Sequence, residues 1–477
     1  MNKIIRIETL GCRLNQIESE AAARIFLDHQ FKVIMSPVSA KSEEDFETCL
    51  CIVNTCTVTQ KAEQKARRII RLLLSKYQNS IILVTGCYAQ LRSAEINGID
   101  SRVLALGGQI KSRIGNIPDL LNKSLENWNP LEFKKILNNN LINIKINKIG
   151  FAEDSFKLST SSFLAHSRAS LKIQDGCNNK CSYCAIHIAR GYSVSIDVET
   201  AIKRVKEIEK NNIPEIVITT VNIAQYRSNY NGEMYNFTKL LKKLLEVTTF
   251  VRFRISSLYP EIIDDEFCEV IKNERIQPHF HISVQSGSNK ILKLMNRYYD
   301  SKQIVESCNR LRESKVNPFI ACDIITGFPG ETDSDFEETL QLCKKCDFTW
   351  VHAFPFSERP GTEAVKLPDK VPQSISGKRA KILNDISVQN KIKYINNFIN
   401  KELFAVLETS RNPVILNPEN KKMIYHAVTE NFIHCEIITN DYFEGSNKVK
   451  IIITEVLTDH ITKGGEIEAR AKIVQKF

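Results

Sequence analysis

Three cysteines in the run Gln174-Asp175-Gly176-Cys177-Asn178-Asn179-Lys180-Cys181-Ser182-Tyr183-Cys184 carry the sharpest chemical signal of this 477-residue chain. Their spacing is C-x3-C-x2-C. Three close thiolates can hold three irons of a [4Fe–4S] cluster. The fourth iron then keeps an open position, the feature that separates catalytic from closed structural metal sites. No fourth cysteine closes the set at short range, and His187 is the one nearby alternative. A zinc loop is the bland reading of the same residues. Three further cysteines, Cys12, Cys56 and Cys87, lie far apart in sequence, each directly after an apolar run.

Elements must bring these residues together. Lys3–Glu8, Leu50–Val53 and Ile81–Val84 read as strands, separated by helical patterns such as Ala66, Ile69, Ile70 and Leu73. Alternating strands and helical connectors predict a parallel sheet. Cys12, Cys56 and Cys87 then sit at its C-terminal edge, where open parallel sheets bind ligands. A second alternation starts at Ala169. Its candidate strands are Ser170–Ile173, Glu215–Thr219, Arg252–Ser256, His279–Val284, Pro318–Ile325 and Trp350–Phe354. Six βα units predict a partial barrel, open on one side. After about Asn400 only short strands appear: Leu403–Leu407, Ile424–Val428, Phe432–Ile438 and Val449–Val456. They predict a small all-β domain, a barrel, so the fold class is α/β with a β appendage. The expected division is an N-terminal α/β domain over residues 1–123, a linker with an insertion over 124–162, a barrel over 163–398 and the β domain over 399–477.

Composition is that of an ordinary globular chain, 43% apolar and 25% charged, and excludes dominant disorder. No apolar run is long enough for a membrane span, and charge interrupts the N-terminus at once, so a cytoplasmic location is expected. The formal charge of +10 is uneven. Lys61–Gly150 holds 15 Lys and Arg against 6 Asp and Glu, while Lys401 onward is balanced at 10 against 11. The densest run is Lys61, Lys65, Arg67, Arg68 and Arg71, just past Cys56. Such a run neutralises phosphates or is merely a solvated helix face.

The C-x3-C-x2-C loop, with an aromatic before its last cysteine, resembles the signature of radical S-adenosylmethionine (SAM) enzymes. The resemblance implies that Cys177, Cys181 and Cys184 bind a cluster whose open iron chelates SAM. One electron then cleaves SAM to methionine and a 5′-deoxyadenosyl radical. Tyr183 would pack by the cluster or the adenine. Three N-terminal segments, Thr9-Leu10-Gly11-Cys12-Arg13-Leu14-Asn15-Gln16, Asn54-Thr55-Cys56-Thr57-Val58-Thr59 and Thr85-Gly86-Cys87-Tyr88-Ala89-Gln90, resemble the methylthiotransferase family within that group. So do Met295-Asn296-Arg297, Gly327-Phe328-Pro329-Gly330-Glu331 and His352-Ala353-Phe354-Pro355-Phe356-Ser357-Glu358-Arg359-Pro360-Gly361-Thr362.

The family resemblance implies a second [4Fe–4S] cluster on Cys12, Cys56 and Cys87, with a part in sulfur delivery. The branch most similar to this chain methylthiolates N6-threonylcarbamoyladenosine at tRNA position 37. Other branches act on isopentenyladenosine-37 or on a ribosomal-protein aspartate. The isopentenyl branch tends to carry Gly-Cys-Gln-Met-Asn where this chain has Gly-Cys-Arg-Leu-Asn. One SAM would supply the radical and a second the methyl group. The implied partners are the tRNA anticodon stem-loop, a flavodoxin- or ferredoxin-like electron donor and a sulfur source. The C-terminal domain occupies the position of the family's tRNA-binding TRAM domain.

Thr220 and Asn222 stand in the turn expected to touch the methionyl part of SAM. The family usually has glycine at position 220, and Thr220 adds a Cβ there. Gln285 and Asp323 are polar, at strand ends on the catalytic side, and are expected to contact substrate or SAM. His279 and His281 alternate on one strand and are expected to point into the barrel near SAM. Cys49 and Cys51, two apart on a strand, are expected to share a face as buried thiols. Cys343 and Cys346 form a C-x2-C on a helix and are read as packing. Two rivals remain: a radical enzyme with the Cys177–Cys184 cluster alone, and a non-catalytic tRNA-binding protein whose cysteines hold zinc.

Overall fold

In the computed structural model, residues 3–142, 155–160, 167–408, 414–417, 422–443 and 447–477 are described. The first sheet holds β1 (Ile4–Thr9), β2 (Lys32–Ile34), β3 (Thr48–Thr55), β4 (Ile81–Gly86) and β5 (Val103–Ala105). Their order is β2-β1-β3-β4-β5, all parallel. Helix α1 (Arg13–Asp28) follows β1, and α2 (Gln60–Lys76) follows β3. The start of α2 is written locally: Thr59 accepts a hydrogen bond from the Ala62 amide, and Glu63 stands in the first turn. β3 and β4 are buried on both faces, which their unbroken apolar runs require.

Two expectations change here. Cys49 and Cys51 do not share a face. Thr48 pairs with Ile4 and Leu50 with Ile5, so Cys49 is the extra residue of a bulge. Cys49 joins the layer of Leu50 and Ile52, while Cys51 joins that of Val53. The first part of the segment read as a linker is structured. Helix Pro130–Leu137 follows the cap of Asn129, and Phe133, Leu137 and Leu141 are buried in the core of the first sheet. The Asn- and Lys-rich composition hides three apolar residues at helical spacing. Of the remainder, residues 143–154 and 161–162 lie outside the described residues.

The six expected barrel strands are present within one or two residues of their predicted ends. Ala169–Lys172, Glu215–Thr219 and Arg252–Ile255 form one parallel sheet. Ser257–Leu258, His279–Gln285, Phe319–Thr326 and Trp350–Pro355 form another. The chain crosses from one to the other at Ser256. Among the described residues no ladder joins Ala169–Lys172 to Trp350–Pro355, so the barrel is open between its first and last strands. Helix packing seals its outside through Leu171, Phe253, Phe280, Ile320 and Val351. Cys308, Cys322, Cys343 and Cys346 are buried in that same layer, in keeping with a packing role.

The 24-residue helix Gln373–Asn396 leads out of the barrel. Leu383 lies in the barrel core and Ile395 in the core of the C-terminal domain. Glu402–Leu407 pairs with both Lys422–Thr429 and Lys448–Val456. With His434–Thr439 and Ala469–Lys476 this closes a five-stranded ring, and Val414–Asn417 adds at one edge. Phe432, expected to open a strand, instead sits in a turn at φ +66° and the strand begins at His434. The ring meets the start of the barrel strands: Arg254 donates to the carbonyls of Thr429 and Glu430 at 3.0 and 3.1 Å.

Candidate active site

Each cysteine triplet is placed by strand ends. Cys12 caps α1 directly after β1, Cys56 follows β3, and Cys87 opens the short helix after β4. Gly11 backs directly onto Cys56, leaving no room for a side chain between the first two cysteines. Cys56 and Cys87 are buried and Cys12 is exposed. In the barrel, Cys177, Cys181 and Cys184 lie in the loop beyond Ala169–Lys172, and the Cys177 amide donates to Gly191 O at 3.0 Å. A glycine at positive φ precedes a cysteine in both triplets. Gly86 has φ +95° and Gly176 φ +68°. A Cβ on Gly86 would fall 2.3 Å from Thr55 O, and one on Gly176 1.9 Å from Tyr192 O. Only glycine permits both the dihedral and the approach.

The donor sets fit a cubane. Each is three thiols, and a cubane places each thiolate on a different iron. Burial pushes the Cys56 and Cys184 thiols up to about 12, and raises Cys87 and Cys181 as well. These are protonated thiols on their own and become ligands by giving the proton up to a metal.

The loop beyond Glu215–Thr219 braces the first cysteine of the barrel triplet. Gln174 is fully buried and accepts from the amides of Val221 and Asn222 at 3.0 and 2.9 Å. Its amide group donates to Gly176 O at 2.7 Å. Asn222 caps the following turn and points Nδ2 at Cys177 Sγ, 3.7 Å away. Thr220 has ordinary negative φ, since it is absent from the positive-φ residues of the chain. Its Cβ therefore brings no backbone strain, contrary to what the missing glycine suggested. Tyr183 accepts a hydrogen bond from Arg297. Arg297 is itself ringed by Tyr183, Tyr259 and Tyr299. It lies close enough to Cys181 to favour the thiolate.

Gln285 ends its strand in the left-handed region at φ +70°, which turns the chain sharply at that edge. Asp323 Oδ1 lies 3.1 Å from His281 Nε2, and His281 stacks on His352 with ring centroids 5.2 Å apart. Burial would raise the Asp323 carboxyl, but His281 and His352 outweigh it and lower it. Burial and His281 depress His352 to about 4. His279 does not join them. It opens its strand, far from the cysteine loop, and packs 4.2 Å from Phe432 of the C-terminal ring. Strand alternation fixes the face of a histidine, not its height in the barrel.

The domains are tied together beneath the cysteines. Arg190 donates to Asp175 and to Asn15 of α1, and pairs with Glu18 at 3.4 Å. Lys172 reaches Glu18 at 3.1 Å and also pairs with Asp175, while Lys111 pairs with Glu18. Three cations thus meet two carboxylates, all largely buried. Burial would raise Glu18 and Asp175, but these cations overcome it and lower both. Arg190 also lies within electrostatic reach of Cys12 and Cys87, and at Cys87 it opposes the larger effect of burial. Across the other side, Arg359 donates to Glu63 at 2.8 Å and to Thr57 O at 3.2 Å. None of this network stands out in sequence, because lone charged residues carry no spacing signal.

Of the basic run on α2, Lys61, Lys65, Arg68 and Arg71 are exposed. Arg67 is engaged, donating to Tyr88 Oη and Glu95 at 2.9 Å each. The start of α2 lines a groove with Phe354, Phe356 and Lys370 at the end of the last barrel strand.

Comparison with known proteins agrees with this architecture. Residues 171–343 match the radical SAM superfamily, and residues 4–107 match the uncharacterized protein family UPF0004. The radical SAM methyltransferase TsrM of Kitasatospora setae shares the fold, with a TM-score of 0.50 at 12% identity over 76% of this chain and 77% of that one. Fold and cysteine loop together define a radical SAM enzyme. The threonylcarbamoyladenosine tRNA methylthiotransferase MtaB of Treponema pallidum is 39% identical, over 91% of this chain and 94% of its own. MtaB of Bacillus subtilis is 32% identical over 96% and 98%. A tRNA-2-methylthio-N(6)-dimethylallyladenosine synthase of Endomicrobium trichonymphae is 30% identical over 91% and 96%. The chain belongs to the methylthiotransferase family of radical SAM enzymes, as the motifs implied, and is a tRNA methylthiotransferase most like the MtaB type.

Proposed function

We propose that this enzyme inserts a methylthio group at C2 of N6-threonylcarbamoyladenosine at tRNA position 37. Cys177, Cys181 and Cys184 hold the cluster that binds SAM, and Cys12, Cys56 and Cys87 hold a second cluster on the sulfur-donor side. When bound, SAM and the clusters supply the radical, the sulfur and, from a second SAM, the methyl group. C2 of adenine bears an unactivated C–H that no side-chain base removes. The protein's own part is therefore placement. Gln174 and Asn222 hold the loop that carries Cys177. Arg297 fixes Tyr183, and Tyr183, Thr220, Asn222, Gln285 and Asp323 line the SAM and substrate side. Lys61, Lys65, Arg68 and Arg71 meet tRNA phosphates, with Arg67 in a supporting role.

The observation that carries this reading is Arg190, which joins the two triplets. It sits beside Cys12 and Cys87 and is hydrogen-bonded to Asp175, two residues before Cys177. Each triplet lies at its own sheet's C-terminal edge, and the base flipped from the anticodon loop enters between them. The MtaB relatives support the threonylcarbamoyl branch. The division into an α/β domain, a barrel and a C-terminal ring belongs to the same proposal, with the first domain running on to residue 142. So do a cytoplasmic location, an electron donor of flavodoxin or ferredoxin type and a sulfur source. Among the described residues no helix is long and apolar enough to cross a membrane.

Mass spectrometry of tRNA nucleosides from cells with and without the gene tests this. Loss of 2-methylthio-N6-threonylcarbamoyladenosine alone is expected. Loss of the methylthio-isopentenyl nucleoside instead would overturn the branch, and no change in either would point to the ribosomal-protein target.

A further inference from the structure

Arg13 is a cation without a partner. It stands one residue past Cys12, in the first turn of α1, and makes no hydrogen bond or ion pair of its own among the described residues. Protein encloses it on most sides, yet it keeps some exposure. The charged groups that act on it are Arg168, Arg254, Glu215 and Glu408. Both carboxylates are already taken. Arg254 grips Glu215 in a bidentate pair at 2.7 and 2.9 Å, and Arg168 holds Glu408 at 3.1 Å. Three guanidinium groups thus share two carboxylates, and Arg13 is the one left over.

A further group in this neighbourhood is unsatisfied: among the described residues Nδ1 of His279 is buried without a hydrogen-bond partner, while Nη1 of Arg168 makes no hydrogen bond and lies 3.6 Å from Glu215. His279 lies within the influence of Arg13, Arg168 and Arg254 together. These residues come from three places: the start of α1, the residue before the first barrel strand, and the start of the strand His279–Gln285. Arg168 and His279 stand at the starts of their barrel strands, and Arg13 lies within electrostatic reach of both. An uncompensated cation in such a place is costly unless an anion completes it.

This rests on the threonylcarbamoyl substrate proposed above. That substituent hangs on N6 of the adenine and ends in a carboxylate, whereas an isopentenyl group is uncharged and apolar. N6 and C2 lie on opposite sides of N1. A base that offers C2 to the cysteine side can therefore send its N6 substituent deeper into the barrel. We propose that Arg13, backed by Arg168 and His279, binds the carboxylate of the threonylcarbamoyl group and so selects the modified adenosine.

The test is equilibrium binding by the full, anaerobically reconstituted chain. Its probes are fluorescent anticodon stem-loops carrying threonylcarbamoyladenosine, unmodified adenosine or isopentenyladenosine at position 37. The wild type should prefer the threonylcarbamoyl stem-loop over the unmodified one by about 10- to 100-fold, the range of a charge-assisted contact. Arg13→Gln should erase the preference, leave affinity for the unmodified stem-loop unchanged and retain the iron content. Arg13→Lys keeps the charge without the fork and should keep part of the preference. If Arg13→Gln retains the preference, the inference falls while the substrate stands. If it weakens all three stem-loops equally, Arg13 meets a phosphate and the inference falls likewise. If the wild type prefers the isopentenyl stem-loop, the substrate reading itself fails.

Discussion

Arg190 donates to both carboxylate oxygens of Asp175, at 2.9 and 3.0 Å, and thereby fastens the N-terminal sheet to the cysteine loop of the barrel. Its other contacts, Asn15 and Glu18, belong to α1. The pair is buried, but Lys172 still faces Asp175 when Arg190 is removed, so no charge is left alone. Arg190→Ala should cost about 1.5–3 kcal/mol, the range of lost hydrogen bonds to a charged group. Thermal unfolding of the anaerobic protein reads this, and an unchanged midpoint would refute the fastening role.

Iron content separates the metal readings. Wild-type protein should carry about eight irons per chain, from two four-iron clusters. Replacing Cys12, Cys56 and Cys87 together with Ala should leave about four, as should replacing Cys177, Cys181 and Cys184. Zinc in place of iron would defeat the proposal. Loss of all iron from either triple variant would mean that the two sites do not form independently.

The run on α2 divides into free and engaged cations. Replacing Lys65, Arg68 and Arg71 with Ala should weaken tRNA binding and flatten its salt dependence by about two to three units of slope, near one per phosphate contact. Arg67→Ala should act through stability instead, because its guanidinium holds Tyr88 and Glu95. Titrations at several salt concentrations check both, and an unchanged slope in the triple variant would exclude the patch.

Glu215 gives the structure an acid-sensitive joint. Burial alone would raise its carboxyl, but Arg254 outweighs burial and lowers it to about 2 from an ordinary 4.5. A depressed carboxyl stabilises above its unfolded value, and the gain is lost as pH falls through the interval from 4.5 to about 2. The amount is about 3 kcal/mol. Glu215→Gln should therefore be less stable than wild type at pH 7 and lose less on acidification. Unfolding midpoints at pH 7, 5 and 3.5 would expose parallel curves if the pair were inert.

Thr220→Gly should bring no gain. Thr220 already has negative φ, so glycine relieves nothing and only frees the unfolded chain. SAM affinity by calorimetry should stay within about twofold, well under the tenfold that 1.4 kcal/mol would make. A marked tightening would mean that the Cβ obstructs the ligand.

Much of this architecture is written in local pattern. Strands with unbroken apolar runs, such as Leu50–Val53 and Ile81–Val84, announced themselves, and so did the cysteines beyond their ends. Ala469–Lys476 did not, because alanines at its buried positions carry little hydrophobic contrast against Arg470 and Lys472. The linker reading ended where Phe133, Leu137 and Leu141 found a core among polar neighbours. The site divides the same way. Spacing reveals Cys177, Cys181 and Cys184. Glu18, Lys111, Lys172 and Arg190 come from distant segments and become a network only after the domains close. Arg13 is ordinary in sequence, and its isolation is a property of what its neighbours have already bound.

The helix Gln373–Asn396 has one consequence for mechanics. It buries Leu383 in the barrel and Ile395 in the C-terminal ring, so neither domain owns it. A helix of 24 residues spans about 36 Å and resists bending far more than a loop would. With the direct contacts of Arg254 to Thr429 and Glu430, it holds ring and barrel as one piece. A cut in this helix would therefore loosen both domains at once.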